Sequence, residues 1–79
     1  MSEIFPDALR VGMKLQRLQL AGYFWNNCTI EHIQERPTFL NVYVTCSSTN
    51  ANTVKMETEG KYKRAMIPLH REDKIKIYF

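Results

Sequence analysis

Along residues 40–46 the side chains alternate without interruption: Leu40, Val42, Val44 and Cys46 are apolar, and Asn41, Tyr43 and Thr45 stand between them. A period of two in a stretch dense in β-branched and aromatic residues predicts a strand, here Phe39 to Cys46, with one buried face. The same reading predicts strands over Met13 to Leu20, Cys28 to Gln34, Thr53 to Thr58, Lys61 to Leu69 and Lys74 to Phe79. The first of these slips, because Met13 and Leu15 fall on one face and Leu18 and Leu20 on the other. A β-bulge or sharp bend near Gln16-Arg17 reconciles them.

Turn chemistry separates these runs. Phe5-Pro6-Asp7-Ala8-Leu9 predicts one 3₁₀-like turn, since Pro6 cannot donate to a ladder. Ala21-Gly22 breaks the first pattern, Asn26-Asn27 tolerates turn geometry, and Glu35-Arg36-Pro37 closes a hairpin between the strands at 28–34 and 39–46. Ser47 to Asn52 is small and polar, hence a loop, Glu59-Gly60 is a tight turn, and His70 to Asp73 fits one short helical turn. Short strands at even spacing mark a sandwich or a barrel. At 79 residues the expectation is a single all-β domain over 1–79, a small SH3-like barrel of five or six short antiparallel strands with one or two 3₁₀ turns. The predicted core is Met13, Leu15, Leu18, Ile30, Ile33, Leu40, Val42, Val44, Val54, Ile67, Leu69, Ile75 and Ile77.

The segment Arg10-Val11-Gly12-Met13-Lys14-Leu15 followed by Cys28-Thr29-Ile30-Glu31-His32-Ile33 resembles the opening of MBT repeats in the Tudor-like group of SH3-like barrels. There a glycine-led first strand precedes a bent loop and an apolar second strand. The resemblance covers about residues 9–33 and implies a barrel. The family's acidic-aromatic segment and its Pro-Val-Gly-Trp ending have no counterpart in this sequence, so no methyl-lysine cage residue carries over.

Length and composition narrow the rest. A chain this short buries about 60% of the surface its unfolded form exposes, which limits its stability to about 3–5 kcal/mol. No run of about 18 apolar residues exists for a membrane span, and the start Met1 to Asp7 lacks an apolar signal core. An intracellular, cytoplasmic and complete gene product is expected. Cys28 and Cys46 fall on apolar faces and read as buried free thiols; a bridge would require their strands to be neighbours.

Charge is uneven. Residues 1–52 carry four basic and four acidic side chains and sum to zero, whereas residues 53–79 carry seven against four, which leaves the whole net +3. Tyr62 and Arg64 share a face of one predicted strand, and Lys74, Lys76 and Tyr78 share a face of another. Cations interleaved with rings suit phosphate neutralisation with base stacking. Tyr62, Arg64, Arg71, Lys74, Lys76 and Tyr78 are therefore the candidate nucleic-acid contacts, with Lys61 and Lys63 as extensions, provided the two strands lie side by side or close around the barrel. The bland alternative is a solvated face whose lysines protect sheet edges.

A second class of function is a protein-binding adaptor or inhibitor of the kind a virus or mobile element encodes. It would present Tyr23, Phe24 and Trp25, or offer the terminal strand Ile75 to Phe79 to a partner or a second copy. Successive side chains of an extended chain point to opposite sides, so at least one of the three rings is expected outside. No catalytic or cofactor site is expected: nothing links Ser47, Ser48, His32 and His70 into a nucleophile–base arrangement, and Gly12, Gly22 and Gly60 stand far apart. No metal is expected either, because Cys28 and His32, four residues apart on a strand, lie about 13 Å from each other. His32 is expected on the face of Cys28 and Ile30.

Overall fold

The computed structural model describes residues 1–50, 56–59 and 62–79, with the backbone alone described for 56–59, 62 and 63. The strands are β1 (Ser2–Ile4), β2 (Lys14–Leu20), β3 (Tyr23–Glu35), β4 (Phe39–Cys46), β5 (Ser48–Thr49), β6 (Met56–Glu59), β7 (Tyr62–His70) and β8 (Ile75–Tyr78), with a 3₁₀ turn at Pro6–Ala8. The chain is all-β and antiparallel. The order is β1-β8-β2-β3-β4-β7-β6, and β5 pairs with β3. Among the described residues no ladder joins β6 to β1, so the sheet is open where the sequence suggested a closed barrel of five or six strands. No helix is long and apolar enough to cross a membrane among the described residues.

The alternation that predicts β4 holds residue by residue. Leu40, Val42, Val44 and Cys46 are buried, and β4 packs between β3 and β7. The expected hairpin from 28 to 46 forms, closed by Arg36 N–H donating to Phe39 O at 2.9 Å. The 3₁₀ turn falls where Pro6 puts it, since Pro at the first position loses no donor that the turn needs. At His70 to Asp73 the predicted helical turn is instead a tight non-helical turn, held by Asp73 N–H to His70 O at 3.1 Å.

The face switch in β2 is real and is shared with its neighbour. Leu15 and Leu18 are both buried, with Gln16 and Arg17 exposed between them; opposite, Cys28 and Trp25 are both buried with Asn26 and Asn27 between. The register is unbroken from Lys14↔Thr29 to Leu20↔Tyr23, so the two strands kink together and no residue is inserted. Asn27 takes φ +50° at the kink, a conformation that asparagine tolerates better than most residues. Asn26-Asn27 is therefore a bend inside one 13-residue strand, not a turn before a strand beginning at Cys28. The turn itself is Ala21-Gly22, which joins β2 to β3 as a hairpin.

A true bulge lies further along β3. Ile30 faces Val44 but His32 faces Tyr43, so Glu31 is the extra residue. The bulge carries His32 off the face of Cys28 and Ile30 and out to solvent. There its ring meets Tyr43, the centroids 5.6 Å apart.

The core is Leu9, Leu15, Leu18, Trp25, Cys28, Ile30, Leu40, Val42, Val44, Cys46, Ala65, Ile67, Leu69, Ile75 and Ile77. Met13 and Ile33, expected inside, are only partly buried against it. Val54, also expected inside, and Lys61 lie outside the described residues, as do the side chains of Met56, Tyr62 and Lys63 and part of the predicted strand at 53–58. Trp25 and Leu9 are core residues the alternation did not indicate.

Candidate nucleic-acid interface

The outer face of β8, β2 and β3 carries two rows of side chains set by register alone. Tyr78, Arg17 and Asn26 stand opposite one another in one row. Glu3, Lys76, Gln19 and Phe24 form the next, with β1 supplying Glu3. Partners on one face of a ladder lie about 5 Å apart and rows about 7 Å apart, which is within reach of long side chains and rings.

Arg17 is the centre of this face. Its guanidinium carbon lies 4.9 Å from the centroid of Phe24 and 5.7 Å from that of Tyr78. The attraction of a cation to the ring quadrupole holds it against both. Its Nε–H donates to Asn26 Oδ1 at 3.0 Å. Asn26 Nδ2–H in turn donates to Ser48 Oγ at 2.8 Å. The two terminal nitrogens of Arg17 meet no acceptor among the described residues. The side chain is thus fixed along its stem with its paired donors still available.

The loop after β4 explains why Ser48 is there. Thr29 and Ile30 stand opposite Thr45 and Val44, while Asn26 and Trp25 stand opposite Ser48 and Thr49. The counting is the same throughout, so β4 and β5 are one strand in two pieces along β3, interrupted at the kink. Small polar side chains then tie it down. Asn27 Nδ2–H donates to Ser47 Oγ at 2.9 Å, and Thr49 Oγ–H donates to Phe24 O at 2.8 Å. Asn50 accepts from Phe24 N–H at 2.6 Å and donates to Gly22 O at 2.9 Å. What reads in the sequence as a loop is a hydrogen-bonded wall beside Phe24 and Asn26, and Gln16, Arg17, Asn26, Asn27, Ser48 and Tyr78 line a shallow groove against it.

Five of the six candidate contacts separate in space, and the side chain of the sixth, Tyr62, lies outside the described residues. Lys76 and Tyr78 lie on the Arg17 face. Lys74 is nearby in sequence, but its Nζ sits 5.4 Å from the Phe5 ring centroid. Arg71 is engaged elsewhere: Nε and Nη2 donate to Arg36 O at 3.0 and 2.9 Å, and Nη1 pairs with Asp7. Arg64 lies on β7, opposite Thr45 and Glu57. The premise that the strands of Arg64 and Lys76 are side by side or meet by closure does not hold, since β4, β3 and β2 stand between β7 and β8 and no ladder joins β6 to β1 among the described residues.

The aromatic triad separates as well. Trp25 is 1% exposed, Phe24 lies on the outer face under Arg17, and Tyr23 is 36% exposed. Trp25 is therefore no surface anchor. β8 is paired with β1 on one side and β2 on the other, so the terminal strand has no backbone edge to offer a partner. Arg17 and Asn26 were missed as site residues because the face switch hides which way Arg17 points. The signal was the slip in alternation itself.

Cys28 and Cys46 meet in the core as thiols, with no disulfide between them. Register places them opposite one another, and Cys28 Sγ donates to Trp25 O at 3.1 Å. The Cys28 thiol is held far above its ordinary range by its hydrogen bond with Cys46, then by burial. Both are inert, packing thiols. No three His, Cys, Asp or Glu side chains converge among the described residues. No protein-family model, curated protein or solved structure matches the chain.

Proposed function

We propose that this chain is a non-enzymatic binding module, of the small SH3-like barrel type left open along one side, that holds single-stranded nucleic acid on the outer face of β8, β2 and β3 inside the cell. The observation that carries the reading is Arg17. A guanidinium steadied by two rings and an amide, with its terminal donors unused among the described residues, matches a phosphate in charge and in fork geometry. Lys76 adds a second cation one row away. Phe24 and Tyr78 supply rings against which unpaired bases can stack, an arrangement that single-stranded binders combine with cationic grooves. The adaptor reading rests on Tyr23, Phe24 and Trp25 or on the terminal strand; with Trp25 buried and the strand paired on both sides it keeps Tyr23 and Phe24 alone and has less support.

Fluorescence anisotropy with labelled single-stranded DNA and RNA, and a duplex control, tests this. The expected dissociation constants are about 1–100 µM, weakening with salt along a log–log slope of about −1.4 for two phosphates neutralised. Arg17→Ala is expected to weaken binding and to flatten that slope by about 0.7. Absence of binding to every probe at about 100 µM protein and low salt would overturn the reading.

A further inference from the structure

We infer that the ligand path does not stop at Arg17 but crosses the kink to a second cation–ring pair, Lys14 with Phe79, so that the interface is bipartite. This inference rests on the single-strand reading above. Tyr78 and Phe79 are adjacent residues of extended chain and point to opposite sides. Tyr78 turns onto the Arg17 face; Phe79 turns the other way and, with Lys14, Gln16, Asn27 and Thr29, borders a second concavity over the buried Leu15 and Cys28.

The two concavities meet. Gln16 and Asn27 line both, and these residues face each other at the kink between Leu15↔Cys28 and Arg17↔Asn26. The kink thus forms a saddle with a cation and a ring on either side: Arg17 with Tyr78 on one, Lys14 with Phe79 on the other. A single exposed apolar side chain needs no explanation by itself. Phe79 is distinguished by its setting, since it is 70% exposed and shares its hollow with an exposed lysine. The charge of Lys14 complements a phosphate, and the ring offers a free face to a base. Arg17 and Lys14 are three residues apart on β2, about 10 Å along the strand. Only a ligand long enough to lie across the saddle engages both.

Length dependence reads this out. Oligothymidylates of two, three, six and ten nucleotides are titrated against the wild-type chain and the variants Phe79→Ala, Lys14→Ala and Arg17→Ala, each checked for an unchanged thermal transition. Arg17→Ala is expected to weaken every length. Phe79→Ala is expected to weaken the ten-mer about 5- to 10-fold and to leave the two-mer and three-mer unchanged, with Lys14→Ala following the same pattern. If the wild type binds the series and Arg17→Ala weakens it while both Phe79→Ala and Lys14→Ala match the wild type at every length, the second site is overturned and the first stands. A loss of equal size at all lengths would make Phe79 part of the first site and also overturn the bipartite path. Failure of the wild type to bind any oligomer would remove the parent reading and this one together.

Discussion

Asn26 Oδ1 accepts the Arg17 Nε–H at 3.0 Å while the other end of the same amide donates to Ser48. One side chain thereby connects the wall built by residues 47–50 to the cation at the middle of the outer face. Asn26→Ala should leave Arg17 tethered only by its contacts with Phe24 and Tyr78. We expect single-strand affinity to fall about 3- to 10-fold while stability changes by no more than about 1 kcal/mol, the net worth of a partly exposed hydrogen bond. Anisotropy titration paired with urea denaturation checks both. An affinity equal to wild type would show that the tether is unimportant.

Arg71 and Arg17 make opposite predictions. Arg71 joins the 3₁₀ turn, through Asp7, to the β3–β4 hairpin, through Arg36 O. Arg71→Ala should cost about 1–2 kcal/mol of stability, as expected for lost charge-assisted bonds on a partly exposed side chain, with no change in affinity for the folded protein. Arg17→Ala should do the reverse. Denaturation midpoints and titrations on the two variants separate a structural arginine from a binding one.

Trp25 is the sole tryptophan and is buried, and its indole N–H finds no acceptor among the described residues. Truncation to alanine should cost about 3–5 kcal/mol, which equals the whole expected stability of a domain this size, so Trp25→Ala should be unfolded at room temperature. Trp25→Phe should keep the fold with a loss below about 2 kcal/mol, because it vacates less volume and abandons no hydrogen bond. Circular dichroism and thermal melts of the two variants decide the matter; a cooperative melt for Trp25→Ala at wild-type temperature would contradict the packing described.

The Cys28 thiol gives a defined alkaline limb. Its proton is held more tightly in the folded chain than at the ordinary value of 9.0, where the unfolded thiol ionises. The stabilisation is therefore complete below pH 9 and is lost as the pH rises above it, with a slope approaching about 1.4 kcal/mol per pH unit. Cys28→Ala should remove that slope. Urea midpoints at pH 8, 9 and 10 for both proteins measure the difference, and parallel profiles would refute the assignment.

Glu3 stands directly opposite Lys76 and lowers the potential of the outer face. Glu3→Gln should raise single-strand affinity about two- to threefold at low salt, and the gain should vanish near 1 M salt, where charges are screened within about 3 Å. No gain at low salt would argue that the ligand does not reach the β1 side of the face.

The parts of this fold that were legible follow from local alternation. Phe39 to Cys46 is paired on both sides and buries every second residue, so period and structure coincide. β1 was not legible, because three residues of which Ile4 alone packs against the core leave no period to read. The Asn-Asn pair signals a turn and so places the start of the strand Tyr23–Glu35 at Cys28 in the sequence, whereas pairing with both β2 and β4 keeps it extended through the bend. The site was half legible for a related reason. Lys76 and Tyr78 alternate in plain sight, whereas placing Arg17 requires knowing that β2 changes face between Leu15 and Leu18. Neighbouring strands follow from non-local pairing, which no window of sequence contains, and this is why the sequence groups Arg64 with Lys76 and Tyr78 although three strands stand between them.

β8 lies between β1 and β2, so the ladder that joins residues 2–4 to the rest of the sheet consists entirely of residues 75–77. During synthesis the ribosome must deliver residues 75–77 before Ser2–Ile4 has this ladder to pair with. Residues 14–46 can assemble their meander first, but Leu18 and its neighbours wait uncovered until Ile75 and Ile77 arrive. Folding should accordingly be slow for so small a chain, as for other sheets dominated by distant partners, and a nascent chain halted before Ile75 would expose the very strand that carries Arg17.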